Sequence, residues 1–276
     1  NSRAVPAAPG SPSTVARDVI VLDYGNPQSL TVIKAHRHSL AAVLVEPVQS
    51  RCPELQPEAF LQEWRDLTQE TDTALIFDEM VTGFRIHPGG AQAHFGIQAD
   101  IATYSKIAGG GLPLSIIAGK SRFMDHIDGG QWQYGDASEP QVPTTFFAGT
   151  FCKHPLALAT AHAALSRIKA EGSGLQANLT KKTTNLVNRL NSFTTAASLP
   201  VRFTQFGSFF AIALTQSQIS PLATNLLSYH LLNRGIHLRG GDKGGFLSTA
   251  HTPEDINKIY TAFHEGLIAL HKANYL

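Results

Sequence analysis

Cysteine is nearly missing from this chain: Cys52 and Cys152 are the only two in 276 residues. Two isolated thiols build no disulfide framework and have no zinc-type spacing, so reduced side chains in a cytoplasmic protein are the simpler reading. Neither sign of charge is in excess: 22 Lys and Arg stand against 21 Asp and Glu, a net +1. Without a basic field, nucleic-acid binding is disfavoured. Long apolar runs are also missing. The longest candidate, Ile212 to Leu227, is interrupted by polar residues and Pro221. It falls short of the roughly 20 apolar residues that span a bilayer, so no membrane partner is expected. The histidines form no metal site, because His36 and His38 would not share a helix face and His264-Glu265 has no second histidine beside it. A serine-centred nucleophile elbow and an early dinucleotide glycine fingerprint are both absent. The start, Asn1-Ser2-Arg3-Ala4-Val5-Pro6, has no initiator Met and no apolar core. It is no signal peptide and reads as a loop from the middle of a longer protein.

What is present alternates between strand and helix. Residues 1–18 read as an irregular lead-in, Val19 to Leu22 as a short strand, and Leu30 to Leu40 as a helix. Ala41-Ala42-Val43-Leu44-Val45-Glu46 is an apolar run closed by a carboxylate, as in a strand buried on both faces of a parallel sheet. Pro57 to Thr68 carries Phe60, Leu61, Trp64 and Leu67 on one helical stripe. Ala74-Leu75-Ile76-Phe77 is a second buried strand and runs into Asp78-Glu79. Strand, helix and strand at this spacing make a βαβ unit, and ligands of such sheets sit beyond the carboxyl ends of the strands. Asp100 to Ser105 and Leu114 to Ala118 predict two more strands, Gly129 to Thr145 a long polar loop, and Pro155 to Ala170 a helix stopping near Gly172.

The remainder reads as a smaller α+β unit. It has a β-rich stretch from Val201 to Leu214 with a turn at Gly207 and a helix from Leu222 to Arg234. Short strands are expected at Ile236 to Arg239 and Gly245 to Ser248. Thr252-Pro253-Glu254-Asp255 opens a last helix with a capping hydroxyl, proline in its first turn and acids facing its positive end. Its apolar stripe is Ile256, Ile259, Phe263, Leu267 and Leu270. The domain boundary is placed at this change of character, giving domains 1–170 and 171–276.

Lys106 is the residue on which a chemistry can be built. It follows a short strand and precedes Gly109-Gly110-Gly111, whose bare backbone would let a bulky group approach closely. A lysine so placed can form a Schiff base with an aldehyde cofactor, whose pyridine nitrogen needs a carboxylate to stay protonated. Asp78, at the end of a neighbouring strand, can supply that carboxylate. Taken alone, these residues fit a solvated loop lysine at least as well.

The order of motifs adds more. Phe77-Asp78-Glu79-Met80-Val81-Thr82-Gly83-Phe84-Arg85 is followed by Gly89-Gly90-Ala91-Gln92-Ala93. Next come Asp100-Ile101-Ala102-Thr103-Tyr104-Ser105-Lys106-Ile107-Ala108-Gly109-Gly110-Gly111-Leu112-Pro113, then Gly149-Thr150-Phe151 with Pro155-Leu156-Ala157. From about Val43 to the C-terminus this series resembles class III pyridoxal-phosphate aminotransferases of the glutamate-1-semialdehyde aminomutase type. Glu46-Pro47-Val48-Gln49-Ser50-Arg51, Ile127-Asp128-Gly129-Gly130 and Thr150-Phe151-Cys152-Lys153-His154-Pro155 narrow the resemblance. They look like the aminotransferase domains of cyanobacterial polyketide and nonribosomal peptide synthases, the microcystin type among them.

The resemblance implies an α/β chain with the aspartate-aminotransferase-like fold type I of pyridoxal-phosphate enzymes. Residues 1–170 would be part of the large cofactor-binding domain with its connecting helix, and 171–276 the small domain. It implies pyridoxal 5′-phosphate as cofactor, Lys106 as its Schiff-base lysine and proton shuttle, and Asp78 as the partner of its ring nitrogen. Met80 would pack on one ring face, unless it is core. Thr150 would reach the phosphate of the neighbouring subunit in a homodimer, unless it is only a helix-entry hydroxyl. Arg51 departs from the family, which commonly has an acidic or amide side chain there. It binds a donor carboxylate or is a solvated loop arginine, with Arg239 a weaker candidate for the same task. The expected reaction moves an amino group from a donor such as glutamate to a β-keto thioester held on an acyl carrier protein. The alternatives are an aminomutase acting on a free substrate and a catalytically silent scaffold. The family's glycine-rich phosphate turn has no equivalent before Val43. The chain is therefore expected to be N-terminally incomplete and to bind the cofactor weakly or not at all.

Overall fold

The computed structural model describes residues 4–213, 216–238 and 244–276. The chain divides into two compact units, Asn1–Val43 with Pro57–Leu75, and Leu44–Gln56 with Ile76–Leu276. Both sides of the predicted boundary at 170/171 lie within the second unit.

The first helices are α1 (Ser13–Arg17), α2 (Gln28–His36) and, after strand β1 (Ala42–Val45), α3 (Glu58–Glu70). The stripe read for α3 is its buried face: Phe60, Leu61, Trp64 and Leu67 are all buried. Tyr24 meets Phe60 and Trp64 edge-on, with ring centroids 5.9 and 6.0 Å apart. Val19 to Leu22 forms no strand. Ile20 makes only an isolated bridge, and Val19, Ile20 and Val21 are exposed, so this β-prone run has little packing to reward extending.

The chain continues through β2 (Ala74–Asp78), α4 (Gly90–Phe95), β3 (Ile101–Tyr104), a 3-10 turn at Lys106–Gly109, and β4 (Ile116–Gly119). Strand order is β1-β2-β3-β4. β2 and β3 run parallel with Asp78 opposite Thr103, and β4 returns antiparallel to β3. Leu75, Phe77 and Ala102 are buried, which is why these short runs are apolar. The parallel pair brings Asp78 and the turn bearing Lys106 to one edge of the sheet. Helices α5 (Ser121–Asp128) and α6 (Pro155–Glu171) follow, with the predicted long loop between them.

Beyond α6 the chain forms α7 (Ser173–Ala196), β5 (Phe203–Phe206), β6 (Phe209–Ile212), α8 (Pro221–Asn233), β7 (Gly244–Phe246) and α9 (Pro253–Lys272). β5, β6 and β7 make an antiparallel sheet in that order. The predicted turn at Gly207 joins β5 to β6, with φ +58°. Every residue of β6 is buried, and Phe203, Phe210, Leu186, Leu190, Leu227, Phe263 and Leu267 form the core around the sheet. The cap read for α9 is present: Thr252 accepts from the Asp255 N–H while the Asp255 carboxylate accepts from the Thr252 N–H.

Two further expectations need correction. Ile236 to Leu238 is not strand, and Arg239 lies outside the described residues. Helix α7, for which the sequence reading has no assignment, is 24 residues long. Its buried face is Gln176, Leu179, Thr183, Leu186, Val187, Leu190 and Thr194, a regular helical spacing with polar residues at three places. Each makes a hydrogen bond, although Gln176 Oε1 has no partner among the described residues. Gln176 Nε2 donates to the Phe84 carbonyl at 3.1 Å, and Thr183 Oγ1 donates to the Leu179 carbonyl at 2.8 Å.

Candidate active site

Asp78 closes β2 and is half-buried. One of its oxygens, Oδ1, accepts from the Met80 N–H at 2.9 Å and from Thr103 Oγ1 at 3.4 Å. Its Oδ2 has no partner among the described residues. The carboxylate is thus fixed on one side and open on the other.

Its neighbour Glu79 turns the opposite way, into the protein, and is 1% exposed. Its Oε2 accepts from the Ala91 N–H at 2.7 Å and from Thr82 Oγ1 at 3.0 Å, and its Oε1 accepts from the Gln92 N–H at 3.0 Å. Burial pushes the Glu79 carboxyl above the usual range, against the lowering effect of these donors. Gln92 Nε2 then donates to the Tyr104 hydroxyl at 2.9 Å. This chain of bonds ties the end of β2 to β3, two residues before Lys106. It also explains Gly90, at φ +70°, whose Cβ would collide with the Glu79 carboxylate.

Lys106 itself is exposed and stands at φ +49°, a left-handed conformation unusual for lysine. The turn is braced on both sides. Ser105 Oγ donates to the Leu114 carbonyl at 2.6 Å, and the Ala108 N–H donates to the Ser105 carbonyl at 3.0 Å. Among the described residues nothing hydrogen-bonds or ion-pairs with the Lys106 amine. A strained backbone holding an unpartnered amine is the kind of outlier that occurs at functional sites. Of the following glycines, Gly111 has nothing within 4 Å of its Cβ position, whereas Gly110 is packed tightly. A Cβ on Gly110 would stand 2.5 Å from the Thr160 carbonyl oxygen, so this glycine exists for close packing of the turn on α6.

Glu46, directly after β1, is the residue the sequence reading left without a role. Its Oε1 accepts from the Ser50 N–H at 2.9 Å. Burial raises its pKa above the ordinary carboxylate value. Ser50 pulls it down, the Asp78 charge pushes it up and the Lys106 charge pulls it down. Asp78 and Lys106 are the charged groups that bear on Glu46. Its signal in the sequence was a carboxylate at the end of a buried strand, the same signal that marked Asp78.

The other expected residues lie around these groups or apart from them. Met80 is half-buried, and its backbone fastens Asp78. Arg51 is exposed, without a hydrogen bond or ion pair among the described residues. Thr150 is exposed in a turn beside Phe146 and Phe151, which are 92% and 79% exposed. Cys52 and Cys152 are both free. No helix among the described residues is long and apolar enough to cross a membrane.

The family profile of class-III aminotransferases matches residues 23–252, most of the chain. The chain belongs to the class-III aminotransferases. It is 31% identical over 280 residues to glutamate-1-semialdehyde 2,1-aminomutase of Alkaliphilus oremlandii, covering 97% of this chain and 62% of that protein. The enzyme of the same name from Desulfitobacterium hafniense strain Y51 is 34% identical, covering 92% and 58%. An omega-transaminase from Sphaerobacter thermophilus superposes with a TM-score of 0.84 at 27% identity, covering 95% of this chain and 60% of that one. A β-phenylalanine aminotransferase from Variovorax paradoxus gives 0.80 at 28% identity, covering 96% and 60%. The chain spans about 60% of the length of these relatives.

Class-III aminotransferases work with pyridoxal 5′-phosphate. The site of this class-III chain suits two parts of that molecule. Asp78 presents an unpartnered oxygen for a protonated ring nitrogen, and Lys106 presents an unpartnered amine for an aldehyde. Thr150, expected to reach the phosphate of a neighbouring subunit's cofactor, is an exposed hydroxyl with no hydrogen bond among the described residues.

Proposed function

We propose that this chain is part of a pyridoxal-phosphate enzyme that moves amino groups, with Lys106 carrying the cofactor and Asp78 facing its ring nitrogen. The observation that supports it is the placement of a left-handed, unpartnered Lys106 and the open oxygen of Asp78 at the carboxyl ends of two neighbouring parallel strands. When bound, the cofactor supplies an aldehyde that takes up an amine and a ring that withdraws electrons. Asp78 keeps negative charge beside the ring nitrogen. Lys106 Nζ takes a proton and returns it, and the rigid turn fixes where that nitrogen reaches. Met80, two residues after Asp78, would pack on one face of the ring unless it is core. Arg51 recognises the carboxylate of the donor, as a guanidinium fork matches that shape, and Arg239 is the second candidate. The division into a cofactor-binding part, 1–170, and a small part, 171–276, is kept on the same footing.

An aminomutase or aminotransferase of free substrates is the preferred reading, because the relatives described above carry those names. Transfer from glutamate to a carrier-held β-keto thioester is the second. Its support is the resemblance of residues 46–51, 127–130 and 150–155 to synthase-embedded domains. A homodimer belongs to the same reading, and the exposed Phe146, Phe147 and Phe151 near Thr150 support it.

The test is to titrate the chain with pyridoxal 5′-phosphate, reduce with borohydride and locate the modified lysine by mass spectrometry. Label concentrated on the Lys106 peptide, and reduced by Asp78→Asn, is expected. Label spread evenly over surface lysines would remove the site assignment. Turnover without an added amino donor separates an aminomutase from a transaminase, and dependence on a carrier-bound acceptor separates the second reading.

A further inference from the structure

Arg85 carries a positive charge with no counter-ion among the described residues. It ends the turn of residues 80–85 that follows β2 and Asp78. That turn is held in place. The Gly83 N–H donates to the Glu79 carbonyl at 2.9 Å, and the Arg85 N–H donates to the Thr82 carbonyl at 3.1 Å. The Phe84 ring lies 5.5 Å from the Tyr104 ring, and Ile86 packs against the buried cluster of Val48, Phe206 and Phe209.

The Arg85 guanidinium lies over the Phe246 ring, 4.2 Å from its centroid. Phe246 is paired with Phe209 across β6 and β7, with ring centroids 5.7 Å apart, so the ring is a fixed platform. Nε is sealed from solvent and has no hydrogen-bond partner. The two Nη nitrogens make no hydrogen bond or ion pair among the described residues, and neither is sealed, so the end of the fork stays open.

A guanidinium over an aromatic face regains part of what it loses on leaving water, and an unpaired ion keeps the rest as a cost. Burial accordingly lowers the Arg85 pKa to about 10. An apolar side chain of the same length would cover Phe246 without that cost, so packing alone gives no reason for a cation. An anion brought from outside does. The open end of the fork presents parallel N–H groups in one plane, which match the two oxygens of a carboxylate. One guanidinium balances one negative charge, which a carboxylate carries and a phosphate dianion exceeds.

We propose that Arg85, held over Phe246, is a binding site for the carboxylate of a small ligand, taken end-on by its two Nη nitrogens. The residue follows the carboxyl end of β2, and ligands of open α/β sheets bind beyond those ends. It is a third guanidinium in addition to Arg51 and Arg239, the candidates for the donor carboxylate. That the ligand is an amino or keto acid rests on the function proposed above. The binding itself needs no cofactor and can be measured without one.

The experiment is a nitrogen-15 NMR titration of the whole chain with glutarate, a dicarboxylate without an amino group, read at the arginine Nε–H signals. The sealed Nε–H of Arg85 exchanges slowly with water and is assigned by its loss in Arg85→Met. A saturable shift of that signal is expected. Glutarate affinity should fall at least about tenfold in Arg85→Met. Arg85→Lys keeps the charge without the fork and should lose less. Sodium chloride at equal ionic strength should give no saturable shift, and inorganic phosphate should bind more weakly than glutarate. No saturable shift, an unchanged affinity in Arg85→Met, or tighter binding of phosphate would overturn the proposal. Loss of glutarate binding in Arg51→Ala with the Arg85 signal unmoved throughout would overturn it as well. Binding at Arg85 together with borohydride labelling spread over surface lysines would keep the carboxylate site and remove the enzyme reading.

Discussion

Gly110 lies so close to Thr160 that a Cβ on it would come within 2.5 Å of the Thr160 carbonyl oxygen. Thr160 Oγ1 in turn donates to the Gly109 carbonyl at 3.0 Å. The turn carrying Lys106 is thus locked onto α6 by backbone contact.

Gly110→Ala combines that collision with a φ of +59°. It should destabilise the chain by roughly 2–4 kcal/mol. Gly174→Ala is the control, because nothing lies within 4 Å of its Cβ and it sits inside helix α7. It should be neutral or stabilise by up to about 1 kcal/mol. Urea unfolding midpoints compare the two. Equal midpoints would mean that the turn is free to move away from α6.

Glu79→Gln replaces an acceptor of three hydrogen bonds by an amide that must point N–H groups at N–H groups. A loss of about 2–3 kcal/mol is expected. The folded-state pKa of Glu79 is raised, so its contribution to stability is full below the unfolded value of 4.5 and is lost as pH rises through the folded value. The gap in stability between the unmodified chain and the Glu79→Gln variant should therefore be wider at acid pH and shrink on the way to neutrality. A gap that widens towards neutral pH contradicts the burial-dominated shift.

Arg85 offers the opposite case. Burial pulls its pKa down to about 10, and its guanidinium stacks over the Phe246 ring at 4.2 Å, with no partner for Nε. A cation over a ring gives at most about 2 kcal/mol, whereas an unpaired ion taken out of water costs several. Arg85→Met keeps the length of the side chain and should leave stability unchanged or raise it by about 1 kcal/mol. Calorimetry decides, and a loss above about 2 kcal/mol would show that the cation has a partner of real strength.

Phe263 and Thr252 both belong to α9 and should differ sharply. Phe263 is 1% exposed and meets Phe203 and Phe210 edge-on at 5.4 and 6.0 Å. Phe263→Ala should cost about 3–5 kcal/mol. Thr252→Ala removes one capping hydroxyl and should cost about 1 kcal/mol. Comparable losses from both would mean that the small sheet and α9 unfold separately from the rest.

The local elements that were legible in the sequence are those whose burial leaves a period. The run 74–78, the stripe of α3 and the capped start of α9 are patterns set by nearest neighbours along the chain, and the ordered motifs around Asp78 and Lys106 named the family. The run 42–45 is a strand as expected, but it is not buried on both faces, since Leu44 is 66% exposed. Helix α7 escaped because Gln176, Thr183 and Thr194 occupy places in its buried face and break the apolar count. Val19 to Leu22 misled because β propensity needs a partner strand to be realised. What only the tertiary structure decided is the company each charged group keeps. The sequence placed carboxylates at strand ends. The packing of β1, β2 and β3 turned Glu79 inward to hold a helix, left one oxygen of Asp78 open, and set Glu46 within the fields of Asp78 and Lys106. Burial and field depend on residues far away in the chain, so a strand-end carboxylate reads the same in sequence whether it is buried against backbone N–H groups or left with an open oxygen.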